Sequence, residues 1–187
     1  PLSTANGDIW GRDIANSRWV FETGDADGKC LWTGRGPLLM PWSENGAAMV
    51  PLTLYNEDET PFEGDSRNVL AAVLGRFAAI GLRPVPAFEL EFYLADPGAA
   101  DGVVSNPLNG AAGMRDGVLS VDDLNDFDAI LSEIYDACEV QSVGADAAIS
   151  ESGRGQFEVN LRHSDDAMKV ADDAMLFKNI VKSVARK

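Results

Sequence analysis

The chain has 187 residues, 45% of them hydrophobic and 24% charged, a globular composition with room for one good core or two small ones. Its 15 Lys and Arg stand against 30 Asp and Glu, and a net charge of −15 excludes nucleic acid or an anionic membrane as the main partner, since both need clustered positive charge. Cys30 and Cys138 form no metal or disulfide pattern, no apolar run approaches the ~18 residues of a membrane span, and no signal peptide opens the chain, so the expectation is a cytoplasmic protein with reduced thiols.

Residues 1–46 are rich in Gly, Trp and Asp and read as short strands and loops, with Trp19-Val20-Phe21 the best strand candidate. Ala47 to Tyr55 is a second strand-like run, and Pro51 within it predicts an edge strand or a bulge. A helix follows. Asp65 or Ser66 can cap it, Val69, Leu70, Val73, Leu74, Phe77 and Ile80 recur at helical spacing, and Gly81 sits where a left-handed cap belongs. Ala87 to Leu94 then alternates as a strand, with Phe88, Leu90, Phe92 and Leu94 on one face and Glu89, Glu91 and Tyr93 on the other.

Residues 95–120 make a long polar connection, expected to lie outside any core. Leu124, Phe127, Ile130, Leu131, Ile134 and Cys138 predict a second helix with Asp122 near its start. Val143–Ser150 and Gln156–Arg162 read as strands around a turn at Glu151–Gly155. On the later strand Phe157, Val159 and Leu161 oppose Gln156, Glu158 and Asn160. The last helix starts at Ser164, with a stripe of Ala171, Ala174, Met175, Phe177, Val181 and Val184. No Gly, Pro or capping residue ends it, which reads as truncation and predicts that Val181 and Val184 are poorly covered.

Glu89, Glu91, Glu151 and Glu158 are the candidate chemistry. A lone Glu-x-Glu on a strand equally describes a solvated sheet face. Several carboxylates converging on one spot instead suit a hard cation such as Mg²⁺ or Mn²⁺. His163 is the sole histidine, a poor basis for a Ser-His-Asp or Cys-His mechanism.

The order of these segments carries a resemblance. Phe88-Glu89-Leu90-Glu91-Phe92-Tyr93-Leu94 resembles the Glu-x-Glu-Phe-x-Leu strand of the glutamine synthetase family, and Glu151 through Gly155-Gln156-Phe157-Glu158 resembles its Glu-x-x-x-Gly-Gln-x-Glu segment. The helix holding Ala171-Asp172 and Phe177-Lys178 is similar to the one that follows there. Pro41-Trp42, Pro61-Phe62 and Asp65-Ser66-Arg67-Asn68-Val69-Leu70 match the passage between the family's two domains. Glu22-Thr23-Gly24-Asp25 and Arg162-His163-Ser164-Asp165-Asp166 look closer to the gamma-glutamylpolyamine synthetases.

The resemblance implies an α+β fold: a partial, β-grasp-like N-terminal domain over residues 1–57, then part of a catalytic domain over 58–187, its antiparallel sheet carrying the acids and backed by helices. It implies that Glu91, Glu151 and Glu158 ligate one metal and Glu89 a second, with Asp146 and His163 toward the nucleotide. Arg154 stands where the family often has proline, which touches loop stiffness more than chemistry. The implied reaction joins ammonia to the side-chain carboxylate of glutamate through a gamma-glutamyl phosphate, with ATP as co-substrate and Mg²⁺ or Mn²⁺ as cofactor. A polyamine such as putrescine is the alternative amine. The implied parent is a ring-shaped homo-oligomer whose remaining catalytic groups lie outside this chain, so the chain alone is expected to be inactive. A reading from another class, a non-catalytic acidic cation-binding fragment, has the net charge in its favour and the ordered motif series against it.

Overall fold

The computed structural model describes residues 27–97, 104–110 and 118–187; the expected strand at Trp19-Val20-Phe21 lies outside them. The chain divides into two compact units, the first taking the residues up to Leu38 and Ala48–Pro84, the second Leu39–Ala47 and Val85–Lys187. The boundary expected at residue 57 follows a change of motif, whereas these units follow contacts.

In the first unit β1 (Lys29–Trp32) pairs antiparallel with β4 (Leu52–Tyr55). A separate ribbon of β2 (Leu38–Met40) and β3 (Ala47–Met49) has residues assigned to each unit. Among the described residues each half of the expected run is an edge strand of a two-stranded sheet, as the proline predicts, and Pro51 itself falls between them. Lacking an N–H, it contributes only its carbonyl, which accepts from Thr33 N. Helix α1 (Ser66–Ala79) is capped by Asp65, whose side chain accepts from Arg67 N. The second Asp65 oxygen accepts from the Thr53 hydroxyl and Leu54 N, so one carboxylate ties helix to strand. Gly81, at φ +72°, follows the helix, and Leu82 N turns back to Phe77 O.

The apolar spacing of α1 is as expected, but none of its residues is buried, and Val69, Val73, Phe77 and Ile80 are all exposed. Among the described residues of its own unit α1 packs chiefly on the short strand β4, too little surface to cover that stripe.

The second unit carries a three-stranded antiparallel sheet in the order β5-β7-β6, formed by β5 (Glu89–Tyr93), β6 (Ala145–Ser150) and β7 (Gln156–Leu161). Its apolar face packs against helices. Central β7 buries Phe157, Val159 and Leu161 almost completely, as the alternation predicts. On edge strand β5 the burial is weaker: Leu90 and Phe92 are half-buried and Phe88, just before the strand, is 41% exposed. An edge strand has a neighbour on one side only. The Phe157 ring meets those of Phe127 and Phe92 at centroid distances of 5.1 and 6.2 Å, and Phe92 meets Phe177 at 6.1 Å.

The second predicted helix is two helices, α2 (Val121–Asp126) and α3 (Asp128–Val140), joined at Phe127. Asp122 lies in the first turn of α2, as expected, and Ser120 caps the helix by accepting from Asp123 N. The long connection is not wholly outside the core, because Val104 joins Leu94, Phe127, Leu131 and Phe157 in one buried cluster. Helix α4 (Ala167–Val184) begins later than Ser164, with Asp166 accepting from Lys169 N. Its buried face runs through Val170, Asp173, Phe177, Ile180, Val181 and Val184, while Met175 is 67% exposed. Val181 and Val184 are therefore covered, contrary to expectation; α4 lies along α3 and against β7, which takes up that stripe.

Candidate functional site

The polar face of the sheet gathers the predicted carboxylates through strand register. Glu91 stands directly opposite Glu158, Glu89 opposite Asn160, and Tyr93 opposite Gln156. Partners directly across an antiparallel pair share a face, so Glu89, Glu91 and Glu158 lie together, and the Phe residues between them point to the core. Glu151 follows β6, and its N–H donates to Gln156 O, continuing the pairing that sets Ile149 opposite Glu158. All four predicted metal ligands thus border one surface. Glu89 and Glu91 are exposed, Glu151 and Glu158 half-buried.

The turn between β6 and β7 is held by two glycines. Gly155, at φ +68°, has no room for a Cβ, which would sit 2.5 Å from Val104 Cγ1 and 2.8 Å from Leu94 O. At Gly153 an added Cβ would come within 2.7 Å of the Tyr93 hydroxyl. Beside it Gln156 donates from Nε2 to Glu91 Oε2 at 3.0 Å, and its Oε1 accepts from Tyr93 Oη at 2.8 Å and Gly153 N at 3.0 Å. Gln156, Tyr93 and Gly153 are not among the site residues expected at this face. Their signal was available in the pattern: Gln156 shares the period-two face of Glu158, and Tyr93 that of Glu91.

Asp146 and His163 come together at one end of this face. A hollow there is lined by Glu89, Asp146, Asn160 and His163 with Ala87 and Phe88. The Asp146 carboxylate lies 3.9 Å from Arg162 Nε, and the Asp146 carbonyl accepts from the Tyr135 hydroxyl at 3.0 Å. Burial, with smaller effects from Cys138 and Asp146, raises the Tyr135 pKa and keeps that hydroxyl a donor.

Donor chemistry on the acidic face fits a hard cation, because every candidate ligand is a carboxylate and like charges directly opposite on neighbouring strands repel unless water or a cation intervenes. The arrangement is a wall, not a cage. Among the described residues no three His, Cys, Asp or Glu side chains stand close enough together to enclose an ion.

Comparison with known proteins bears on the same segments. The glutamine synthetase catalytic-domain family matches residues 63–187. Gamma-glutamylputrescine synthetase of Escherichia coli (strain K12) is 34% identical over 100% of this chain and 40% of its own length. A glutamine synthetase of Methanocaldococcus jannaschii is 31% identical over 80% of this chain and 32% of its own, and a glutamate–isopropylamine ligase of Pseudomonas sp is 29% identical over 80% of this chain and 32% of its own. The chain thus spans well under half the length of these relatives. The solved structure of GmaS without ligand superposes with a TM-score of 0.65 at 28% identity, covering 79% of this chain and 34% of that one. The GmaS complex with ADP reaches 0.67 over 96% of this chain and 45% of that one, a likeness of fold at 24% identity. The family match covers well over half of the sequence and contains both acidic strands: the chain belongs to the glutamine synthetase family.

Proposed function

We propose that this chain is part of an ATP-dependent ligase that joins an amine to the side-chain carboxylate of glutamate through a gamma-glutamyl phosphate. The observation that carries the reading is the register of β5 and β7, which sets Glu91 opposite Glu158 with Glu89 on the same face, inside the segment that matches the family. Glu91, Glu151 and Glu158 would hold one Mg²⁺ or Mn²⁺ and Glu89 a second, toward the hollow lined by Asp146 and His163, which on this reading would face the nucleotide. Divalent cations bound there supply charge neutralisation for the phosphate oxygens of ATP as the glutamate carboxylate attacks. The chain's own part is to present preplaced carboxylates on a rigid sheet, with Phe157, Val159 and Leu161 anchoring β7 from behind.

The share of the relatives' length that the chain covers supports binding without turnover by these 187 residues alone. On this reading the parent is a ring-shaped, cytoplasmic homo-oligomer. Among the described residues no helix is long and apolar enough to cross a membrane. Residues 1–57 are read as part of a β-grasp-like domain and 58–187 as part of the catalytic domain.

Ammonia is the first amine this reading takes. A polyamine is the second reading, favoured by the 34% identity to gamma-glutamylputrescine synthetase along the whole chain. The test offers glutamate and ATP with ammonia, putrescine or isopropylamine in turn, to this chain and to a longer polypeptide containing it. Phosphate release and the mass of the gamma-glutamyl amide are measured. Amide formation with one amine in the longer polypeptide supports the ligase; phosphate release and amide mass absent with every amine there would sink it.

A further inference from the structure

Glu91 projects from an edge strand into solvent, where a glutamate side chain samples several rotamers, and the Glu158 carboxylate directly opposite repels it. Its carboxylate is nevertheless held, because Gln156 Nε2 donates to Glu91 Oε2 at 3.0 Å. We infer that Gln156 is a positioning residue for Glu91, locked in turn by Tyr93 and Gly153, and that this set raises the affinity of the acidic face for a divalent cation. The inference rests on the reading of Glu91 as a metal ligand.

The Gln156 amide has one favoured orientation. A glutamine side chain offers an acceptor at one end and two donors at the other. Here the oxygen receives two N–H or O–H donors, from Tyr93 Oη at 2.8 Å and Gly153 N at 3.0 Å. Turning the amide over would set its NH₂ against the Gly153 N–H and its oxygen against the Glu91 carboxylate, two unfavourable contacts for two favourable ones, while the Tyr93 hydroxyl can donate or accept and suits either sense. The amide therefore presents N–H to Glu91 in one sense only.

Two further features point the same way. Tyr93 is 61% exposed, so burial does not explain an aromatic ring on an acidic face, whereas a hydroxyl aimed at Gln156 does. A Cβ at Gly153 would stand 2.7 Å from Tyr93 Oη and 2.9 Å from Gln156 Oε1, so a side chain there would displace the pair, and its absence lets the turn close on them. Tyr93 and Gln156 are also direct cross-strand partners, so the lock is built into the register that brings Glu91 to Glu158. Holding a ligand carboxylate in place before binding removes part of the ordering cost that binding otherwise meets. Partners of metal ligands commonly change affinity by about 10- to 100-fold when removed.

The experiment is a Mn²⁺ titration of the chain followed by electron paramagnetic resonance of free Mn²⁺, on wild type, Glu91→Gln, Gln156→Ala, Tyr93→Phe and the double variant Glu91→Gln/Tyr93→Phe. Gln156→Ala is expected to weaken Mn²⁺ binding about 10-fold or more. Tyr93→Phe should weaken it by a smaller factor, since Gly153 still holds the amide, with the metal-free melting temperature unchanged. The double variant should bind no more weakly than Glu91→Gln alone, a coupling that a purely structural role does not produce. Wild-type affinity in both Gln156→Ala and Tyr93→Phe, with Glu91→Gln weakened, would overturn the positioning role and leave the ligand reading standing. Additive losses in the double variant would also overturn it. Unchanged binding in Glu91→Gln would remove the ligand reading and this inference with it.

Discussion

Glu91 and Glu158 face each other across β5 and β7, and the next pair along, Phe92 and Phe157, faces the core from the other side with ring centroids 6.2 Å apart. One register thus sets a charged pair and an aromatic pair back to back. Shifting either strand by a single residue would exchange them, burying carboxylates and exposing phenyl rings, so the aromatic core enforces the acidic face.

That opposition predicts a response to metal. Replacing one of two like charges directly across a sheet relieves roughly 0.2–1 kcal/mol of repulsion. Glu158→Gln should therefore raise the metal-free melting temperature slightly. Millimolar Mn²⁺ should raise that of the wild type, toward the increment of about 2.7 kcal/mol expected at a hundredfold excess over the dissociation constant. In the variant most of the rise should vanish. Thermal melts of both proteins with and without Mn²⁺ read all three; a wild type indifferent to Mn²⁺ would count against a cation site on this face.

Gly155 should tolerate no side chain. A Cβ there meets Val104 Cγ1 at 2.5 Å and Leu94 O at 2.8 Å, and the backbone sits at φ +68°. Overpacking of this kind costs about 1–3 kcal/mol, and a left-handed backbone adds strain of similar order. Gly110 has nearly the same φ, +69°, with open space around its Cβ position. Urea denaturation should show Gly155→Ala losing clearly more stability than Gly110→Ala, and equal losses would mean that the contacts are not tight.

Asp65 predicts a pH dependence. Burial raises its pKa, but the N–H groups of Leu54 and Arg67, the Thr53 hydroxyl and the Arg67 charge outweigh that and hold the carboxyl below its ordinary value of 3.8. A carboxyl depressed in the folded state contributes stability that is present above its unfolded value and is lost as pH falls through the folded one. The gap in melting temperature between wild type and Asp65→Asn should accordingly be full at neutral pH and shrink below about pH 4. A gap independent of pH would show that the charge contributes nothing beyond the shape of the cap.

The two cysteines should differ in reactivity. Burial pushes the Cys138 thiol up to about 12, with the charge of Asp173 adding to it, while Cys30 is exposed. Only thiolate reacts with iodoacetamide. At about pH 8 the native protein should take up label at Cys30 alone, and Cys138 should be labelled once denaturant opens the core. Mass spectrometry of peptides from the two conditions separates the outcomes. Labelling of Cys138 in the native state would reveal that α3 opens readily.

Much of this was legible in the chain. Period-two alternation put Glu89 and Glu91 on one face of β5 and Glu158 on the matching face of β7, and the spacing of apolar residues marked α1, α3 and α4. These are local properties, fixed by backbone geometry within a few residues. Burial is not local. Val181 and Val184 are covered because α3 and β7 meet α4, Phe88 is uncovered because β5 is an edge, and Val104 reaches the core from a connection that looked too polar to supply it. The kink at Phe127 and the shift of the last helix cap from Ser164 to Asp166 likewise depend on where the chain must turn to pack. Alternation fixes which side chains share a face. Only the pairing of β5 with β7, residues far apart in sequence, decided that Glu91 would stand against Glu158 and within reach of the Gln156 amide, because a strand carries no information about the register of its partner until both are packed on a common core.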